Sequence, residues 1–232
     1  MKKQYFLTVD VESTMQDMAA DYAAVISDKQ GNVITQCAVL VKGVFGEQDL
    51  FYDKTATNIW AKSNLAKRQE AYEKMLNEGI RQLASVNAIN KWLEKANAQF
   101  NPILTAYNLP FDARIMNNSG IKHSIFTNRF CLWQMAIGHY ANTKNYKEFI
   151  LKNHLFNNVT TKQNCTYKTN AEVMASFLSG YMLPDEPHTA LEDIIDYELP
   201  ILNSIIKRRN WREKEKPYNW RDYQVKSHFT AI

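Results

Sequence analysis

Alternation of apolar and polar positions is clearest near the start of the chain. Tyr5, Leu7, Val9 and Val11 fall on one side, and Phe6, Thr8 and Asp10 on the other. That period of two predicts a strand over residues 5–11, and continuing it puts Glu12 beside Asp10. Residues 22–27 and 33–41 are also rich in β-formers, and the turn-like cluster Asp28-Lys29-Gln30-Gly31-Asn32 joins them. Three antiparallel strands are expected. The period then changes. Residues 63–100 have helical composition, with Ile80, Leu83, Val86, Ile89, Trp92 and Leu93 near helical spacing, and Pro102 closes the region.

Residues 103–107 read as a short buried strand, and Asn108-Leu109-Pro110 turns into a helix that begins near Phe111 and stops near Gly120. Residues 129–133 add a further strand, followed by helices around 134–140 and 146–155. Residues 157–169 are polar and read as a loop. A helix over 171–179 ends at Gly180, and Pro184 and Pro187 precede the last long helix. In that helix Leu191, Ile194, Ile195, Leu202, Ile205 and Ile206 form a core-facing stripe, with a kink expected at Pro200. Its start, Thr189-Ala190-Leu191-Glu192, fits a capping box with Thr189 as N-cap and Glu192 reaching back. The expected architecture is α/β: a mixed sheet of about five strands, the first three antiparallel, flanked by helices.

With 232 residues and 45% hydrophobic content, the chain can bury one core and has little room for a second domain. One domain is expected over residues 1–208, followed by a tail over 209–232. Cys37, Cys131 and Cys165 lack paired spacing, which argues against a zinc knuckle or a disulfide framework and for a reducing cytoplasm. Asp10 interrupts the first apolar run before a signal-peptide core is complete. No run approaches about 18 apolar residues, so no membrane span is expected. The formal charge is +4, yet residues 207–226 alone carry eight basic and three acidic side chains, leaving the rest of the chain slightly acidic. Trp211, Tyr218, Trp220, Tyr223 and Phe229 are interleaved with or follow these charges. Cations beside stackable rings suit single-stranded nucleic acid. A solvated tail that folds its aromatics back on the domain has the same composition.

Three separated segments carry chemistry. Asp10 and Glu12, at i and i+2 of a strand, put two carboxylates on one face within reach of a common ion. Asp112 follows a buried strand in the first turn of a helix, where the macrodipole favours an anion. Asn108 can cap that helix or reach a ligand, and Phe111 lies beside Asp112 as core or contact surface. His188 stands just outside the last helix, free to act as a base, while Asp193 sits in its first turn as a fixed ligand. Hard oxygen ligands converging on one point, plus a group that titrates near neutrality, are what two-cation phosphodiester hydrolysis needs.

Together the segments resemble the three signature motifs of the DEDDh 3′–5′ exonucleases, which share a ribonuclease-H-like fold. Asp10 and Glu12 match the first motif, Asp112 the second, and His188 with Asp193 the third. The related subclass with tyrosine would carry it four residues before the last aspartate, where Thr189 stands. Two departures bear on substrate choice. Ser13-Thr14-Met15-Gln16 stands where many members have Thr-Thr-Gly, and Tyr107 stands where many have histidine.

The resemblance implies that Asp10, Glu12 and Asp193 hold one Mg²⁺ or Mn²⁺, and that Asp10 with Asp112 holds a second. It makes His188 the general base, and Ser13, Thr14, Met15, Asn108 and Phe111 contacts of the terminal nucleotide. Nucleoside 5′-monophosphates would leave one at a time from the 3′ end of a single strand, with DNA placed ahead of RNA. The tail then has two candidate partners, the nucleic acid or a polymerase on which a proofreading subunit docks. A non-catalytic nucleic-acid-binding module of the same fold is the remaining reading. Its freedom to lose costly carboxylates argues against it, since all five motif residues are present.

Overall fold

A computed structural model describes residues 3–52, 59–157 and 165–225. Its centre is a six-stranded mixed sheet. Strands β1 (Tyr5–Ser13), β2 (Ala19–Asp28) and β3 (Val33–Val41) form an antiparallel meander. Strand β4 (Leu83–Ala84) lies parallel to β3 at one edge, while β5 (Ile103–Ala106) and β6 (Arg129–Cys131) extend the other side in parallel from β1. The spatial order is β4-β3-β2-β1-β5-β6. A separate two-stranded ladder pairs β7 (Phe156–Asn157) with β8 (Thr166–Tyr167).

The alternation in β1 divides the core into two layers. Leu7, Val9 and Val11 pack with Ile89 and Leu93 of helix α2 (Val86–Phe100) and with Ile115 and Met116 of α3 (Leu109–Asn118). Phe6 faces the opposite layer. That layer is built from α4 (Leu132–Ala136), α5 (Lys144–Lys152), α6 (Ala171–Ser179) and the long helix that ends the body of the fold. The long helix comprises α7 (Ala190–Asp193), a π turn (Ile194–Glu198) and α8 (Leu199–Ile206). Because β1 is covered on both faces, its polar members Thr8, Glu12 and Ser13 are buried as well.

Several local expectations are corrected. The helical stretch expected over 63–100 is two helices, α1 (Ile59–Asn77) and α2, separated by a turn and β4. Gly79 adopts φ +70°, a conformation costly for other residues, and the Ser85 side chain accepts the Ala88 N–H to start α2. Ile80 and Leu83 are therefore each 54% exposed instead of joining a helical stripe. Helix α3 begins at Leu109, two residues earlier than expected, since Pro110 in the first turn lacks only an N–H that would have no intrahelical acceptor. Asn108 makes no side-chain cap bond there. Strand β6 stops at Cys131, and Leu132 and Trp133 start α4. The polar stretch 157–169 contains β8, and its residues 158–164 lie outside the described residues.

The capping box is also replaced. Thr189 makes no side-chain cap bond, and the Ala190 N–H instead donates to Asp21 Oδ2 at 3.0 Å. Glu192 is drawn away, accepting from Arg81 Nη2 at 2.6 Å. Arg81 is buried, and its Nε lies 3.8 Å from Asp21 Oδ1, so a strand acid and a turn arginine hold the start of α7.

Residues 211–225 pack onto the body. The Trp211 ring meets Phe130 at 5.0 Å and Phe6 at 5.8 Å, and Tyr218 stacks on Trp133 at 4.8 Å. Tyr223 is fully buried, while Trp220 stays 43% exposed. Gly138 permits this approach, because a Cβ there would overlap the Lys214 carbonyl oxygen. Lys226 and Phe229 lie outside the described residues. Among the described residues no helix is long and apolar enough to cross a membrane, and all three cysteines are free.

Candidate metal centre

The end of β1, the start of α3 and the start of the long helix converge on one cleft of about 320 Å³. Asp10, Glu12 and Ser13 reach it from β1, Asn108, Phe111 and Asp112 from α3 and the residue before it, and His188 and Asp193 from α7 and the segment before it. All five motif residues therefore line the same space. Thr14 and Met15 do not. The β1–β2 register shifts after Glu12, and the chain turns away there. Thr14 is buried with its hydroxyl on Gln48 Oε1 at 2.9 Å, and the Met15 N–H donates to the Asp49 carbonyl.

Glu12, His188 and Asp193 come closest together, each offering one ligand atom within 4.8 Å of the others. His188 Nδ1 lies 4.0 Å from Glu12 Oε1. The imidazole stacks on the Tyr52 ring at 3.9 Å with 21° between planes. His188 has φ +55°, the left-handed region, which costs a non-glycine residue about 1–3 kcal/mol. Burial and the positive field of Arg68 hold its pKa down, to about 4, so the ring is neutral near pH 7.

The carboxylates are pushed the other way. Burial raises Glu12 to about 8, Asp112 to about 7 and Asp193 to about 10, with neighbouring acids adding to the effect on Glu12 and Asp193. Asp10 is raised by burial first, then by Glu198 and Asp112. Asp10 Oδ2, Asp112 Oδ1 and Asp193 Oδ1 are buried with no hydrogen-bond partner among the described residues. Converging, desolvated oxygens of one charge are costly unless a cation sits between them. The oxygen donors suit a hard divalent ion such as Mg²⁺ or Mn²⁺.

Of the lining residues that escaped the sequence reading, Phe51, Tyr52, Glu186 and Glu198 bear most on the chemistry. Phe51, Tyr52 and Glu186 come from segments without a helical or strand period, and burial pushes Glu186 up to about 7. Glu198 was hidden by helical geometry. Five residues of α-helix turn through about 500°, which would leave Glu198 roughly 140° away from Asp193. In the π turn, however, the Leu199 N–H reaches the Ile194 carbonyl across five residues, and both acids face the cleft. Pro200 is the available signal, since it cannot donate within a regular α-helix. No family model matches the chain, and no curated protein matches it.

Proposed function

We propose that this chain is a metal-dependent 3′–5′ exonuclease of the DEDDh type, acting on the 3′ end of single-stranded nucleic acid. The observation that carries the reading is the meeting of Asp10, Glu12, Asp112, His188 and Asp193, drawn from three distant segments, in one cleft. An antiparallel β1–β3 meander continued in parallel by β5 and β6 is compatible with a ribonuclease-H-like fold. Asp10, Glu12 and Asp193 would hold one divalent cation, and Asp10 with Asp112 a second. When bound, the cations would neutralise the carboxylates, lower the pKa of water and stabilise the departing oxygen.

His188 is the base. Its neutral ring accepts the proton of the attacking water, and stacking on Tyr52 fixes its plane. Glu12, beside Nδ1, stabilises the imidazolium that forms. Phe111 offers an apolar face to the terminal nucleotide, and Asn108 offers an amide. Single-stranded DNA stands first among the candidate substrates.

The test offers 5′-labelled and 3′-labelled DNA and RNA, single and double stranded, with Mg²⁺, with Mn²⁺ and with chelator. A ladder of 5′-labelled products shortened from the 3′ end, with 5′-mononucleotides released and activity lost in chelator, is expected. Cleavage that persists in chelator, or internal cuts only, would refute the assignment.

A further inference from the structure

Glu198 is buried, and its two carboxylate oxygens have different surroundings. Oε1 accepts the Tyr107 N–H at 3.2 Å, tying the residue to the junction between β5 and α3. Oε2 is buried with no hydrogen-bond partner among the described residues, and the side chain lines the same cleft as Asp10 and Asp112. A carboxylate needed only to satisfy one backbone N–H could be an amide, which would spare the cost of a buried charge. The π turn that aims Glu198 into the cleft also departs from regular helix immediately after Asp193.

The carboxylates line one cleft. Glu12 and Asp193 stand with His188 on one side. Glu198 is tied to the other side, since its Oε1 holds Tyr107, two residues before the helix whose first turn carries Asp112.

We propose that Glu198 is a fifth acidic ligand of the centre, using Oε2, directly or through one water, for the cation on the Asp10 and Asp112 side. The inference rests on the metal-centre reading above. It assigns the π turn a purpose, since a regular helix would remove this oxygen from the site. It also makes the second cation site richer in charge than the five motif residues alone provide.

The experiment measures cation binding directly, by calorimetric titration of the full chain with Mn²⁺ and by the Mn²⁺-induced rise in melting temperature. Wild type should take up two ions. Glu198→Gln keeps a carbonyl oxygen for the Tyr107 N–H but removes the charge. It should weaken one of the two ions by about 10–100-fold and raise the melting temperature of the metal-free protein. Glu198→Asp keeps the charge but withdraws it by one methylene, and should weaken the same ion. It serves as the second variant if Glu198→Gln does not fold. Two ions bound as tightly as in wild type, in either folded variant, would overturn the role of Glu198 and leave the nuclease reading standing. Wild type that binds no divalent ion would sink both.

Discussion

Arg81→Met offers a measurement of how the start of α7 is held. Arg81 is buried, places Nη2 2.6 Å from Glu192 Oε2, and faces Asp21 Oδ1 from 3.8 Å, too far for a hydrogen bond but within ion-pair range. Asp21 is itself fully buried and accepts the Ala190 N–H and the Tyr72 hydroxyl, each at 3.0 Å. Removing the guanidinium leaves that carboxylate without its cation. Breaking a buried pair costs about 3–5 kcal/mol. The lower end applies here, about 3 kcal/mol, because Asp21 keeps two hydrogen bonds and the Glu192 side chain is 29% exposed and can turn to water. For a chain of this size that corresponds to a melting temperature about 6–12 °C lower.

Asp21→Asn keeps the acceptor oxygen but not the charge. The double variant should therefore recover at least about 1 kcal/mol relative to additivity in urea unfolding. The deficit of Arg81→Met should also shrink as pH falls through about 6, where Asp21 takes up a proton in the wild-type fold and the ion pair is lost in any case. A single variant costing under about 1 kcal/mol, or two variants that simply add, would show that the pair does not hold this helix.

Asp193→Asn should raise the melting temperature of the metal-free protein, because burial and the neighbouring acids make this carboxyl take up a proton on folding and an amide need not, while abolishing cation-dependent hydrolysis. A lower metal-free melting temperature would contradict the account of the cleft. His188→Ala should cost roughly 10²–10⁴-fold in turnover with little effect on cation binding, and near-wild-type turnover would remove it as the base. Metal-free stability should fall as pH rises. Glu12, Asp112 and Asp193 titrate in the fold at about 8, 7 and 10, above their ordinary values of 4.5, 3.8 and 3.8, so their stabilising protons are lost through that range. His188, at about 4 in the fold, works oppositely, its contribution being lost as pH falls below 6.5, and burial lowers His123 and His139 in the same sense, but Asp10, Asp21, Glu186 and Glu198 are raised alongside those three carboxylates. Melting curves in chelator from about pH 5 to about pH 8 check this, and saturating Mg²⁺ should flatten the slope.

What could be read from the sequence depended on the range of the interaction involved. The period of two in β1 set the face on which Asp10 and Glu12 lie, and Pro110 marked the first turn that carries Asp112. These are local effects. The division of residues 63–100 into α1, β4 and α2 hinged on Gly79 and Ser85, whose turn and cap chemistry the helical composition of the stretch masked. The Asp21 cap on α7 was not legible, because Asp21 and Ala190 are brought together only by the sheet and its packing. Glu192 fitted a local capping rule, but a buried arginine claimed it. Glu198 lay outside any α-helical projection, since its position depends on the π turn before Pro200.

The seating of Trp211 and Tyr223 changes how the C-terminal segment can be interrogated. Trp211 covers Phe6 and Phe130, side chains of the two strands that flank β5. Cutting the chain at 208 would strip away aromatic cover and uncover one side of the strand that presents Asp10. Loss of activity in such a truncation would report a damaged core as readily as a lost partner. Reversing charge at exposed positions such as Arg209 or Lys214, while leaving the rings and the Lys216–Asp222 ion pair in place, separates recognition from architecture.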